Sequence, residues 1–135
     1  CAFVCRKLHI ISIDIDERFI SLEILSFDLL CNHSKIRFFV TYRPPHRDIA
    51  AARYLQLLIE CLEVYANCNQ TNVVDGDFNL PSINWFRSNS PDDSINMDFT
   101  IEHGFSQYVN VATRQSHILD IILTDDDELI TAVES

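Results

Sequence analysis

Apolar and polar positions along the chain separate into period-two and helical stretches. From Phe19 to Leu30, "FISLEILSFDLL", apolar residues fall at Ile20, Leu22 and Ile24 and then change phase to Leu25, Phe27 and Leu29. That spacing predicts a strand with one face on a core, bulged where the phase changes. "CNHSK" supplies turn residues, and "IRFFVTY" (36–42) is aromatic and β-branched, so the two stretches predict an antiparallel hairpin. "HIISIDI" upstream predicts a further strand.

Pro44 and Pro45 stop the second strand of the hairpin, and Asp48 is placed to cap a helix running to about Cys68, with Leu55, Leu58, Leu62 and Tyr65 on one face. "TNVVDGDFN" (71–79) then predicts a strand between a helix and a loop, the setting of a sheet covered by helices. Beyond a loop at 80–92, Ser94 to His103 predicts a short helix closed by Gly104 at its C′ position. Residues 107–111, 118–124 and 129–133 are further strand candidates. The pattern is that of an α/β (α+β) chain.

At 135 residues the chain suits a single domain with one core. Its hydrophobic fraction is 47%, and the longest apolar runs, "LHIISI" and "ILDIIL", are far too short to span a membrane. The chain opens on Cys1 without a basic and then apolar leader, which reads as a start inside a domain. Five cysteines, Cys1, Cys5, Cys31, Cys61 and Cys68, form no C-x-x-C pair, so reduced thiols in an intracellular protein are expected rather than a disulfide frame or a zinc site. A formal charge of -10 works against a grip on nucleic acid, which uses clustered Lys and Arg. Part of that charge is the run "TDDDEL" (124–129), expected to be a solvated turn.

The candidate chemistry lies in "VVDGDFNLPSINW" (73–85). With only two glycines in the chain, Gly76 inside a strand predicts a close backbone approach. Alternation puts Asp75, Asp77 and Asn79 on one side of the strand, so Asp77 and Asn79 would project together from its end. A carboxylate and an amide so placed can orient a water, take its proton or hold a metal. An Asx turn that merely ends a strand fits the same residues. One carboxylate, Asp120, lies inside the apolar "ILDIIL", where burial is costly unless it is paired.

Three motifs in order, "VTYRPP", "GDFNLPSINW" and "ATRQSHILDIILT", resemble the endonuclease/exonuclease/phosphatase superfamily, most closely the endonuclease domains of non-LTR retrotransposons. The resemblance covers about Ile36 to Thr124 and implies a two-layered β-sandwich flanked by helices, of which residues 1–135 are an incomplete part. It implies a magnesium-dependent phosphodiesterase that nicks DNA by attack of an activated water, in a nuclear protein in which a reverse transcriptase can share the polypeptide. By the same resemblance Tyr42 bonds the scissile phosphate, Asp77 orients or deprotonates the water, and Asn79 assists at the phosphate. Asp120 matches the aspartate that steadies a catalytic histidine. Arg43, Thr113 and Arg114 are placed to meet the substrate backbone, and Trp85 is expected to pack in the core. His46, beside Tyr42, reads as solvent-exposed.

The matches are incomplete. The family's metal-binding Glu would precede Cys1 and its Ser-Asp-His motif would follow Ser135, and Asp75 stands where the family carries an apolar residue. The 135 residues alone are therefore expected to be inactive or nearly so, because each missing group is worth several powers of ten in rate. Two other readings share the fold: a relic or interaction module without catalysis, and a phosphatase of the same superfamily.

Overall fold

The computed structural model describes residues 9–31, 34–45, 51–66, 69–81, 84–85, 100 and 102–133. Six strands form one mixed sheet: β1 (His9–Ile13), β2 (Glu23–Cys31), β3 (Ser34–Tyr42), β4 (Thr71–Asp77), β5 (Ser106–Gln107) and β6 (Asp120–Thr124), in the order β1-β2-β3-β4-β6-β5. The expected hairpin is β2–β3, paired antiparallel from Glu23↔Tyr42 to Cys31↔Ser34. The parallel pair β3–β4 is joined through helix α1 (Ala51–Tyr65), the crossover that parallel strands require. The fold is α/β, and among the described residues every strand lies in this one layer.

Helix α1 covers one face of the sheet. Tyr54, Leu55, Leu58, Cys61 and Leu62 of the helix are buried in one cluster with Phe39, Val74, Ile121 and Leu123 of the strands. The predicted helical stripe is present, and burial pushes the Cys61 thiol up to about 11, so it is packing rather than a nucleophile. The predicted cap Asp48 and helix end Cys68 lie outside the described residues. The helix's last carbonyl is met from the sheet: the Arg37 guanidinium donates to the Tyr65 carbonyl and forks onto the buried Asp28 carboxylate at 2.7 and 2.9 Å.

Three expectations are corrected. The register of β2 on β3 runs without a break, so there is no bulge at the phase change. Phe19 belongs to a 3-10 turn (Glu17–Phe19), and Ile20 and Leu22 precede β2, so of the first phase only Ile24 lies in the strand, on the opposite face from Leu25, Phe27 and Leu29. The strand predicted at 107–111 shortens to two residues, because the Gln107 side chain binds both the amide and the carbonyl of Val109 and curls the backbone out of the sheet. Residues 129–133 form no strand; the Leu129 amide donates to the Asp126 carbonyl in a turn.

Near Gly104 the expected helix end is present. Gly104 has φ 69°, and the Phe105 amide donates to the Thr100 carbonyl at 2.8 Å, the bond of a Schellman stop. Residues 94–99 of that predicted helix lie outside the described residues. The second face of the sheet carries Leu25, Phe27, Leu29, Ile36, Phe38 and Val40, with Phe27 stacked on Phe38 at 5.2 Å between centroids.

Candidate active site

Strands β3, β4 and β6 are neighbours, and their ends align. Register pairs Tyr42 with Asp77 and Asp77 with Asp120, so a phenol and two carboxylates form one row across three strands on the face opposite α1. Directly opposed residues have Cα atoms about 5 Å apart, within reach of one small ligand. Tyr42 is 44% exposed and Asp120 is exposed, so the row is open to solvent. Asp75 stands one step further along the same face, between Val40 and Ile122. Burial raises the Asp75 carboxyl above the usual carboxylate range; the Gly76 amide partly offsets this and the Asp120 charge adds to it.

Gly76 explains how the row is brought so close to β3. Its φ is +148°, and a Cβ there would lie 1.8 Å from the Thr41 carbonyl oxygen. Only a residue without a side chain allows that approach. On the helix side, the Thr41 hydroxyl meets the Tyr54 hydroxyl at 2.6 Å, tying this part of β3 to α1.

Asn79 does not continue the alternation of β4. It has φ 46° and is buried, and its amide N–H donates to Asp77 Oδ1 at 3.0 Å in an Asx turn. Its side-chain Nδ2 donates to the Arg43 carbonyl at 2.7 Å, while Arg43 Nη1 donates to the Asn79 carbonyl at 3.0 Å. The Arg43 amide in turn donates to the Asp77 carbonyl at 2.8 Å. The strand-ending turn and the candidate chemistry are thus the same residues.

On the far side of the row, Thr113 Oγ1 accepts from the Leu119 and Asp120 amides at 2.9 and 3.1 Å. Arg114 pairs with His117 across a tight turn in which Gln115 has φ 56°. Arg114 is exposed, one residue on from the Thr113 that binds the Asp120 amide. The role of Thr113 as a clamp on the start of β6 was not read from sequence; the signal was a threonine just ahead of a four-residue polar turn, where hydroxyls commonly capture amides. Trp85 packs edge-on against Phe78, with centroids 5.6 Å apart, as a core aromatic. His46 lies outside the described residues.

The run at 124–129 does more than face solvent. Asp125 accepts from the Asn72 amide and Nδ2 at 2.7 and 2.6 Å, Asp126 from the Thr71 hydroxyl, and Asp127 from Ser106 and Tyr108. These bonds stitch the start of β4 to the end of β6. A cavity of about 770 Å³ opens there, lined by Glu63, His103 and Asp125, at the end of β4 away from Asp77.

Among the described residues no helix is long and apolar enough to cross a membrane. The fold resembles solved structures of low sequence identity. The endonuclease domain of TRAS1, a telomere-specific non-LTR retrotransposon, superposes with a TM-score of 0.61 at 16% identity, over 91% of this chain and 58% of that one. The human Nocturnin catalytic domain gives 0.54 at 15% identity, over 88% and 48%. The Bacteroides thetaiotaomicron mannosyl-6-phosphatase Bt3783 gives 0.52 at 13%, over 75% and 42%. The chain therefore spans roughly half the length of these relatives. A comparison with curated proteins finds no match. Residues 36–135, well over half of the chain, match the endonuclease-reverse transcriptase family, and the chain belongs to it.

Proposed function

We propose that the row of Tyr42, Asp77 and Asp120 is the central part of a phosphodiester-hydrolysing site that nicks DNA in the full-length protein. One observation carries the reading: the sheet sets two carboxylates directly opposite one another, beside a solvent-open phenol, on three adjacent strand ends. Like charges opposed across strands destabilise a sheet. An arrangement that costs stability is the kind found where a site needs it.

In this reading Asp77 orients the attacking water and takes its proton, and Tyr42 donates its phenolic hydrogen to a phosphate oxygen. Asn79 has one side-chain N–H committed to Arg43, so its contribution at the phosphate falls to the other. Asp120 steadies a cationic or imidazole partner, and Arg114, with Thr113 beside it, faces the substrate backbone. Magnesium, which the family resemblance implies, would meet Asp77 and Asp120 among the described residues of the row. Among the described residues no group of three His, Cys, Asp or Glu side chains is placed to hold a metal, so the residues present do not make a complete site and no step is assigned to the ion. Nuclear location and a reverse transcriptase in the same polypeptide belong to the same proposal.

The test is a plasmid-nicking assay on protein carrying the domain at full length, with magnesium or with chelator, against Asp77→Asn and Asp120→Asn. Metal-dependent nicking lost in both variants is expected. Hydrolysis of a phosphate monoester without nicking would replace the reading with a phosphatase.

A further inference from the structure

Beside the row, Arg43 presents a conflict between residue type and placement. An arginine next to a phosphate site would ordinarily meet the substrate, since its fork matches phosphate oxygens. Here Arg43 is only 7% exposed. Its guanidinium carbon lies 5.6 Å from the centre of the fully buried Tyr54 ring, and Nη1 donates to the Asn79 carbonyl. Its backbone closes the circuit, accepting from Asn79 Nδ2 and donating to the Asp77 carbonyl.

We propose that Arg43 is a positioning residue, which holds Asn79 in its left-handed conformation and thereby fixes the direction of the Asp77 carboxylate. The proposal rests on the reading of the row as a hydrolytic site. A non-glycine residue at φ 46° is held only where its surroundings over-determine it. Three hydrogen bonds do so here: Asn79 N–H to Asp77 Oδ1, Asn79 Nδ2 to the Arg43 carbonyl, and Arg43 Nη1 to the Asn79 carbonyl. Arg43 makes one of the three with its guanidinium and one with its backbone carbonyl, and the third ends on the carboxylate itself. Removing the fork deletes the bond to the Asn79 carbonyl and the packing on Tyr54 that seats the Arg43 backbone, so Asn79 leaves the turn more readily and Asp77 Oδ1 then loses the amide that orients it. The Tyr54 ring beneath the guanidinium, itself bonded to Thr41, carries the arrangement into the core.

A positioning role and a phosphate contact predict different results for Arg43→Lys and Arg43→Ala. In the 135-residue chain, hydrogen exchange at the Asn79 backbone and side-chain amides is expected to quicken about tenfold or more in both variants. Phe39 and Val74 amides report whether the core is kept. In protein carrying the domain at full length, kcat is expected to fall between about tenfold and 10²-fold with KM little changed. The slope of DNA affinity against salt should stay as in the parent. A rise in KM with the salt slope smaller by about one would mark a lost phosphate contact and overturn the proposal. Unchanged Asn79 exchange would overturn it as well, as would loss of Phe39 and Val74 protection in both variants, which would make Arg43 a residue of the core alone. If the full-length protein nicks no DNA, the hydrolytic reading fails, while the exchange measurement still decides what Arg43 holds.

Discussion

Asp77 and Asp120 face one another across β4 and β6, two carboxylates in a directly opposed pair. Such a pair repels, by about 0.2–1 kcal/mol in sheets where it has been sized. Replacing Asp120 by Asn removes the repulsion and keeps the shape. Asp120→Asn is therefore expected to raise the urea midpoint of the chain slightly and, on the proposed reading of the row, to abolish nicking by protein carrying the domain at full length. A variant that lost stability would show that the two carboxylates share a proton or a cation rather than repel.

Asp75 sharpens the same argument through pH. Its folded carboxyl lies above its ordinary value because of burial, with the Asp120 charge adding to the shift. A raised folded value means that the stability it contributes is present in acid and lost as pH climbs through that value. Asp75→Asn should be more stable than the parent at neutral pH and should converge with it below the carboxylate range. Denaturant melts of both proteins across pH 3 to 8 measure this; parallel curves would show that Asp75 titrates as it does unfolded.

Gly76→Ala tests how the row is assembled. The added methyl would fall 1.8 Å from the Thr41 carbonyl oxygen, on backbone that cannot step aside without parting β3 from β4. A loss of about 3 kcal/mol or more is expected, at the severe end for a single methyl. A mild effect would mean that the two strands can separate locally at little cost, and with them Tyr42 from Asp77.

Thr113→Val keeps volume and removes the oxygen that accepts from both Leu119 and Asp120. Two amides at the start of β6 lose their acceptor, a cost of about 1–3 kcal/mol where water cannot replace it. Thr113→Ser should restore most of that loss. Because Thr113 is itself exposed, a substitution without effect would show that solvent substitutes freely.

Much of this was legible in the sequence for a local reason. The hairpin, α1 and β4 announce themselves by period, and Gly76 by rarity, because each is decided by neighbours within a few residues. The row was legible only through the resemblance: no periodicity places Tyr42, Asp77 and Asp120 in register, since that depends on pairings between strands separated by up to a third of the chain. What the sequence hid were side chains whose partners are distant. Arg43 reads as a surface cation until Asn79 and Tyr54 are seen around it, and Asp125 reads as solvated until Asn72 is seen against it. The phase change at Leu25 misled for the opposite reason: Ile20 and Leu22 precede β2, while Ile24 and Leu25 stand on the two faces of one regular strand.

The last prediction concerns the buried ion pair behind the sheet. Asp28 is held below the usual carboxylate range, chiefly by its bond to Arg37, against the opposing effect of burial, with Lys35 at 3.1 Å as a second cation. Arg37 also donates to the Tyr65 carbonyl at the end of α1, so one guanidinium joins hairpin and helix. Arg37→Ala leaves a buried carboxylate with one lysine and an uncapped helix end, and should cost about 3 kcal/mol at neutral pH. The sign in acid is opposite to that of Asp75: a depressed folded value gives stability that is present above the ordinary carboxylate range and lost as pH falls through it. The parent should therefore lose stability on acidification while Arg37→Ala changes little, so that the two melting curves approach one another near pH 3. If they stay equally far apart, the value of Arg37 lies in its bond to Tyr65 and its packing, and the charge of Asp28 contributes nothing to holding the hairpin on the helix.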